Sequence, residues 1–198
     1  MIKGKSPQII FAKIISLVFD PIIILSLTLP LLIINSTLEP FTKVFVMFAI
    51  FVFYIVAPFE ILFFFYKKKW ITDLEIEKRS QRIYVEFGTL MCWLAGLIFL
   101  LNKKDDHLLN SFICLFAVIV VCFLINLFTK VSLHLATATT AILLLSFSFS
   151  DYILLAALIV LPLLLWSRVY LKHHTIIQGL LGIAVPIAIV PLLLSLFA

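Results

Sequence analysis

Charge is what this chain has least of. Only 13% of its 198 residues are Asp, Glu, Lys or Arg, against roughly a quarter in a soluble domain, and the mean hydropathy is +1.26. That balance excludes a water-soluble globule and identifies an integral membrane protein. Glycine is scarce, with 5 residues against 20 phenylalanines, so the helices are expected to fill lipid-facing space rather than pair through small residues. Cysteine is limited to Cys92, Cys114 and Cys122, each inside an apolar run and without a histidine at ligand spacing. A disulfide framework and a zinc site are therefore not expected. The apolar runs also lack the alternation of barrel strands, which leaves helices as the spanning structure.

What is present is a series of long apolar stretches. A bilayer core about 30 Å thick takes about 20 apolar residues per helix. Seven stretches are candidates: Ile10 to Ile34, Val44 to Tyr66, Ile83 to Leu101, Leu109 to Phe128, Val131 to Phe149, Tyr152 to Tyr170 and Thr175 to Phe197. Lys3 and Lys5 precede the first, as in a signal peptide, but an apolar run reaching Ile34 is too long for a cleavable segment and reads as an uncleaved span. The prolines at 21, 30, 58, 162, 186 and 191 fall inside spans, where kinks rather than breaks are expected. No repeat, low-complexity linker or second domain is visible. The expected fold is an all-α polytopic membrane bundle of about seven transmembrane helices, a single domain over residues 1–198.

Three places interrupt the apolar pattern. One is the segment Trp166 to His174 closed by Gln178, another is Lys130 to His134, and the third runs from Asp73 to Arg82. Two crossings separate each from the next, so with seven spans all three share one membrane side. The same side holds Lys3, Lys5, Lys67, Lys68, Lys69, Lys78, Arg79, Arg82, Lys130, Arg168 and Lys172, and the other holds Lys43, Lys103 and Lys104. The positive-inside rule puts the polar face and the N-terminus in the cytoplasm, in what is expected to be an inner (cytoplasmic) membrane. The net charge of +5 then belongs to orientation and anionic head groups; nucleic acid is not an expected partner.

Arg79 and Arg82, Lys130, and Arg168 come from three separate loops, and converging guanidiniums bind phosphate oxygens bidentately. Taken singly, each is also an ordinary juxtamembrane cation. His134 lies about one turn into the fifth span and His174 opens the seventh, and intramembrane ionisable residues are candidates for function. Gln178 stands four residues after His174, on the same helical face, where its amide can fix the imidazole tautomer.

These residues resemble the type 2 phosphatidic acid phosphatases. The third motif of that family, Ser-Arg, five residues, His, three residues, Asp, reads here Ser167-Arg168, His174 and Gln178. The second, Pro-Ser-Gly-His, reads Val131-Ser132-Leu133-His134. The first, lysine, six residues, Arg-Pro, is the poorest match: Arg82 is followed by Ile83, Glu75 stands at the lysine position and Arg79 is a substitute. The resemblance covers roughly Asp73 to Leu194, and Phe19-Asp20-Pro21 looks like part of an extra N-terminal helix that some members carry. It implies that helix at 10–34, a phosphatase-like core of six helices at 44–198, and a metal-independent phosphomonoesterase without cofactor. By the same resemblance His174 attacks phosphorus, His134 protonates the leaving alkoxide, and Arg82, Arg168 and the backbone near Ser132 hold the phosphoryl oxygens. The implied substrate is a lipid phosphate or prenyl phosphate, as mono- or diphosphate. Gln178 replaces the aspartate that orients the nucleophile and offsets its charge, which leaves open a relative that binds lipid phosphate without turning it over.

Other acidic residues fit less well. Asp20 and Glu60 lie within spans and are either caps and snorkelling groups or ion-coupling residues of a small transporter. Asp73, Glu75 and Glu77 resemble a magnesium cluster, but Asp105 and Asp106 are on the opposite side by parity. Substrate identity and oligomeric state are not legible.

Overall fold

The computed structural model describes residues 6–72 and 79–197, with Arg79 and Ser80 described in backbone only. The described residues form nine α-helices and no strand. Six helical segments are long and apolar enough to cross a membrane, which makes the chain an all-α polytopic bundle. The remaining apolar stretch, the fifth, is shorter: α7, Leu133–Ser148, has 16 residues and rises about 24 Å.

The first span departs from expectation. Residues 7–34 are two helices, α1 (Pro7–Val18) and α2 (Pro21–Ile34), rather than one kinked helix. The break has a local cause, because a residue before proline avoids the α region and aspartate is among the best N-caps. Asp20 takes an extended conformation, its Oδ1 accepts the Ile22 N–H at 2.9 Å, and Pro21 fills the first helical position. The second span runs from α3 (Pro40–Phe51) through one π-helical turn, Val52–Val56, into α4 (Ala57–Lys67). That turn ends two residues before Pro58, whose ring excludes the carbonyl four residues earlier, and a π turn is a common way to absorb such a defect.

The chain continues through α5 (Arg79–Leu100), α6 (Asp106–Asn126), α7, a short 3-10 turn at Asp151–Ile153, α8 (Leu154–Tyr170) and α9 (Ile176–Phe197). Helix α7 is the hub. It lies against α2, α6, α8 and α9, and the run Leu135 to Ala141 is buried throughout. Its threonines suit that position because their hydroxyls donate back to carbonyls one turn earlier, Thr139 to Leu135 at 2.8 Å and Thr140 to Ala136 at 2.7 Å. No polar atom of those two side chains is left bare in the apolar interior. The helices therefore do meet through small residues, contrary to the expectation drawn from scarce glycine. A Cβ on Gly96 would fall 2.4 Å from the Tyr54 ring, which stacks on Trp93 with centroids 4.9 Å apart.

Away from the basic loops, Asp105 ties three elements together. One carboxylate oxygen accepts the Leu108 N–H and caps α6; the other accepts both the N–H and the hydroxyl of Thr37 in the α2–α3 turn, at 2.6 and 2.8 Å. Burial acts to raise the Asp105 pKa, but those hydrogen bonds outweigh it and hold the carboxyl below the usual range. Asp105→Ala should lower unfolding stability by about 1–3 kcal/mol, from the lost cap and an unsatisfied Thr37 N–H, read as a lower midpoint in detergent. The depressed folded value fixes the sign with pH. The carboxylate's contribution is complete above the unfolded value of 3.8 and disappears as pH falls through the folded one. Asp105→Asn should show no such loss in that window.

Candidate functional site

A cavity of about 280 Å³ gathers side chains from five parts of the chain: Asp20 at the helix break, Arg82 and Glu86 on α5, His134 on α7, Arg168 on α8, and His174 between α8 and α9. Arg82, His134, Arg168 and His174, drawn from the three polar places of the sequence, do meet. The cavity holds two guanidiniums, two carboxylates and two imidazoles, a balanced set that limits the cost of keeping charge out of water.

Arg168 owes its position to α1. Its guanidinium donates to the Ser16 hydroxyl, and the neighbouring Ser167 hydroxyl donates to the Ala12 carbonyl at 2.6 Å. Both Ser167 and Arg168 are buried. The second residue after α8, Lys172, has a left-handed backbone at φ 61, and the chain turns so that the N–H groups of His173 and His174 reach the Arg168 carbonyl at 3.1 and 3.3 Å. This is how a helix end satisfies its last carbonyls. Its result is that His174 folds back beside the arginine six residues before it.

His174 is 7% exposed and its Nδ1 is buried without a hydrogen-bond partner. Burial first, then the charges of Arg168 and Arg82, lower its pKa from 6.5 to about 3, against an opposing effect of the Gln178 side chain and a further lowering by Lys130. The ring is therefore neutral at physiological pH. Gln178 has another engagement. Its Oε1 accepts the Thr175 N–H at 3.1 Å while its own N–H reaches the Thr175 hydroxyl at 3.3 Å. That reciprocal pair is a capping box at the start of α9, so the amide is tied to the backbone next to His174.

The wall opposite is built around Asn126. Its Nδ2 donates to Glu86 Oε1 at 2.8 Å and its Oδ1 accepts the Val131 N–H at 2.7 Å, and Arg82 Nη1 reaches the Val131 carbonyl at 3.4 Å. Ser132 follows, fully buried, with its N–H donating to the Gln178 carbonyl at 3.2 Å and its hydroxyl unpartnered. The Ser132 N–H is thus already engaged. The first turn of α7, which has no side-chain cap, is better placed to offer N–H groups to an anion. Lys130 is half-buried in the same turn and does not line the cavity.

Not every residue singled out in the sequence is brought to this place. The Arg79 side chain lies outside the described residues, as do Lys78 and the acidic group Asp73, Glu75 and Glu77. Glu60 is exposed on the outer surface and absent from the cavity lining, so it does not share a path with Asp20. Sequence reasoning missed Glu86, Asn126 and Ser16. Glu86 carried a signal, since it stands four residues after Arg82, one turn along the same face. Asn126 and Ser16 carried none beyond being polar within apolar runs.

Close approach of α9 to the start of α7 holds Ser132 in place. A Cβ on Gly182 would lie 2.6 Å from the Ser132 carbonyl oxygen and 3.2 Å from Leu135 Cβ. Gly182→Ala should therefore cost about 1–3 kcal/mol through overpacking, measurable as a lower midpoint of thermal unfolding in detergent. Compared with protein-family models, curated proteins and solved structures, the chain matches none.

Proposed function

We propose that this chain is a membrane phosphatase that hydrolyses the phosphomonoester or diphosphate of a phospholipid or prenyl lipid through a phosphohistidine. The observation that carries the reading is the convergence of Arg82, His134, Arg168 and His174, from four separate elements, on one cavity. Arg82 and Arg168 and the open first turn of α7 supply positive charge and donors for phosphoryl oxygens. A neutral His174 attacks phosphorus, and the leaving alkoxide takes a proton from His134. Water then gives a proton to His134 and attacks the phosphohistidine, releasing phosphate and restoring both rings. This scheme draws on the chain's own side chains and backbone and calls on no metal or cofactor. The positive-inside bias supports a cytoplasmic site.

The cavity's surroundings favour a lipid. An apolar groove of about 390 Å³ runs between α2 and α3, and it shares Leu25 and Ile55 with the polar cavity. A head group held at the arginines can lay a hydrocarbon chain along it without crossing polar surface.

A second reading has its own support. Gln178 is tied into the capping box and supplies no negative charge, and the buried His174 Nδ1 lacks a partner. A histidine whose neighbouring amide carries no charge suits a protein that binds lipid phosphate and transports or presents it without turnover.

Phosphate release by purified protein separates the two, using phosphatidic acid, phosphatidylglycerophosphate and prenyl phosphates. His174→Ala should reduce release by about 10³-fold or more, as expected for loss of a nucleophile. Equal rates for variant and wild type would sink the phosphatase reading; tight binding lost in Arg168→Ala, with no turnover in wild type, is the signature of the binder. The pH profile is a further check. Because protonation of His174 sets in only near pH 3, its protonation should cause no loss of rate between pH 7 and about 5, although an ordinary histidine would be mostly protonated at the lower end.

A further inference from the structure

The Nε2 atom of His134 has an anion on one side and a cation on the other. Asp20 Oδ2 is 3.6 Å away and Arg168 Nη1 is 3.5 Å away. Both separations exceed those of a settled N–H···O hydrogen bond, and the two contacts exclude each other. With a proton on Nε2 the ring can donate to Asp20; with Nε2 bare the ring can accept from Arg168. From this we infer that Asp20 is a positioning residue for His134, holding its Nε2 proton, and that Arg168 takes the ring over once that proton has left.

The local structure fits the assignment. Asp20 is fixed by its other oxygen, which caps α2, so the carboxylate is held without needing His134. Arg168 is fixed by Ser16, four residues before Asp20 on the far side of the same break. Other charged or titratable groups around His134 are Arg82 and Glu86 from α5 and His173 and His174 from the α8–α9 turn. Glu86 accepts from Asn126, and Asp20 is the carboxylate within ion-pair distance of Nε2, where its sign favours the protonated form.

The role rests on the phosphatase reading, in which His134 is the acid. An imidazolium bearing protons on both nitrogens gives the Nε2 proton to the leaving oxygen, keeps the Nδ1 proton, and becomes neutral. Its bare Nε2 then accepts from Arg168. In the second half of the reaction, a proton from the attacking water returns to Nε2 and the ring turns back to Asp20. Atoms and charge balance without any other reactant.

Asp20→Asn is the informative variant, because asparagine caps helices as well as aspartate does and only the charge is removed. Asp20→Ser also preserves a cap but is too short to reach the ring, and thermal unfolding of both variants controls for folding. With uniformly 15N-labelled histidine in lipid nanodiscs, and His134 assigned from the spectrum of His134→Ala, wild type should show a protonated Nε2 at neutral pH. Both variants should move the signal toward a bare Nε2. Turnover of a lipid monophosphate should fall by about 10- to 100-fold in kcat, the usual cost of losing a histidine's supporting partner, with little change in KM. An unchanged ring signal in two folded variants would overturn the role of Asp20, whatever the activity. A wild type with the expected ring signal and no turnover would support the pairing and count against the phosphatase reading instead.

Discussion

The polar end of this bundle depends on one amide. Asn126 sits at the last turn of α6 and joins the Glu86 carboxylate on α5 to the Val131 N–H in the turn leading to α7. In lipid or protein interior no water is at hand to satisfy a bare backbone group, so a turn placed there must find its partners in side chains. By meeting that demand, Asn126 sets where α7 begins. The start of α7 then fixes Ser132 against α9 and puts His134 into the cavity.

The same constraint explains the arrangement on the opposite wall. Arg168 and Ser167 are buried within a helix end, and both are supported by α1, a segment that the resemblance treats as an addition to the core. The structure makes it integral: α1 lies against α8, α2 lies against α7, and the break between them delivers Asp20 to the site. Asp20 and Glu86 share the cavity with Arg82, Arg168 and two histidines. Burial of that many ionisable groups is tolerable only where opposite signs offset one another, and a histidine can adjust such a balance by gaining or losing a proton.

Much of this was legible in the sequence, and the reasons it was are physical. Apolar length gives spans because a helix must cover a fixed thickness, and the parity of those spans puts His134, Arg168 and Arg82 on one side. The break at Asp20 was written in the residues too, as a capping aspartate before proline, but a long apolar run concealed it. Thr175 and Gln178 likewise spell a capping box, a competing use of the glutamine that its spacing from His174 obscured. Glu86 and Asn126 could not be paired from sequence, since 40 residues separate them and nothing local marks either as the other's partner. The magnitude of an apolar run also hides whether it faces lipid or other helices. Only packing shows that α7, shorter than the six spanning segments, lies against four other helices.

One consequence concerns the order in which the protein is made. The bonds that seat Arg168 join residues 152 and 155 positions apart, linking the earliest helix to a late one. During synthesis Ala12 and Ser16 enter the bilayer long before Ser167 and Arg168 exist, and they wait there for their partners. A nascent chain, however well inserted, holds no assembled cavity until α8 and the turn that carries His174 arrive.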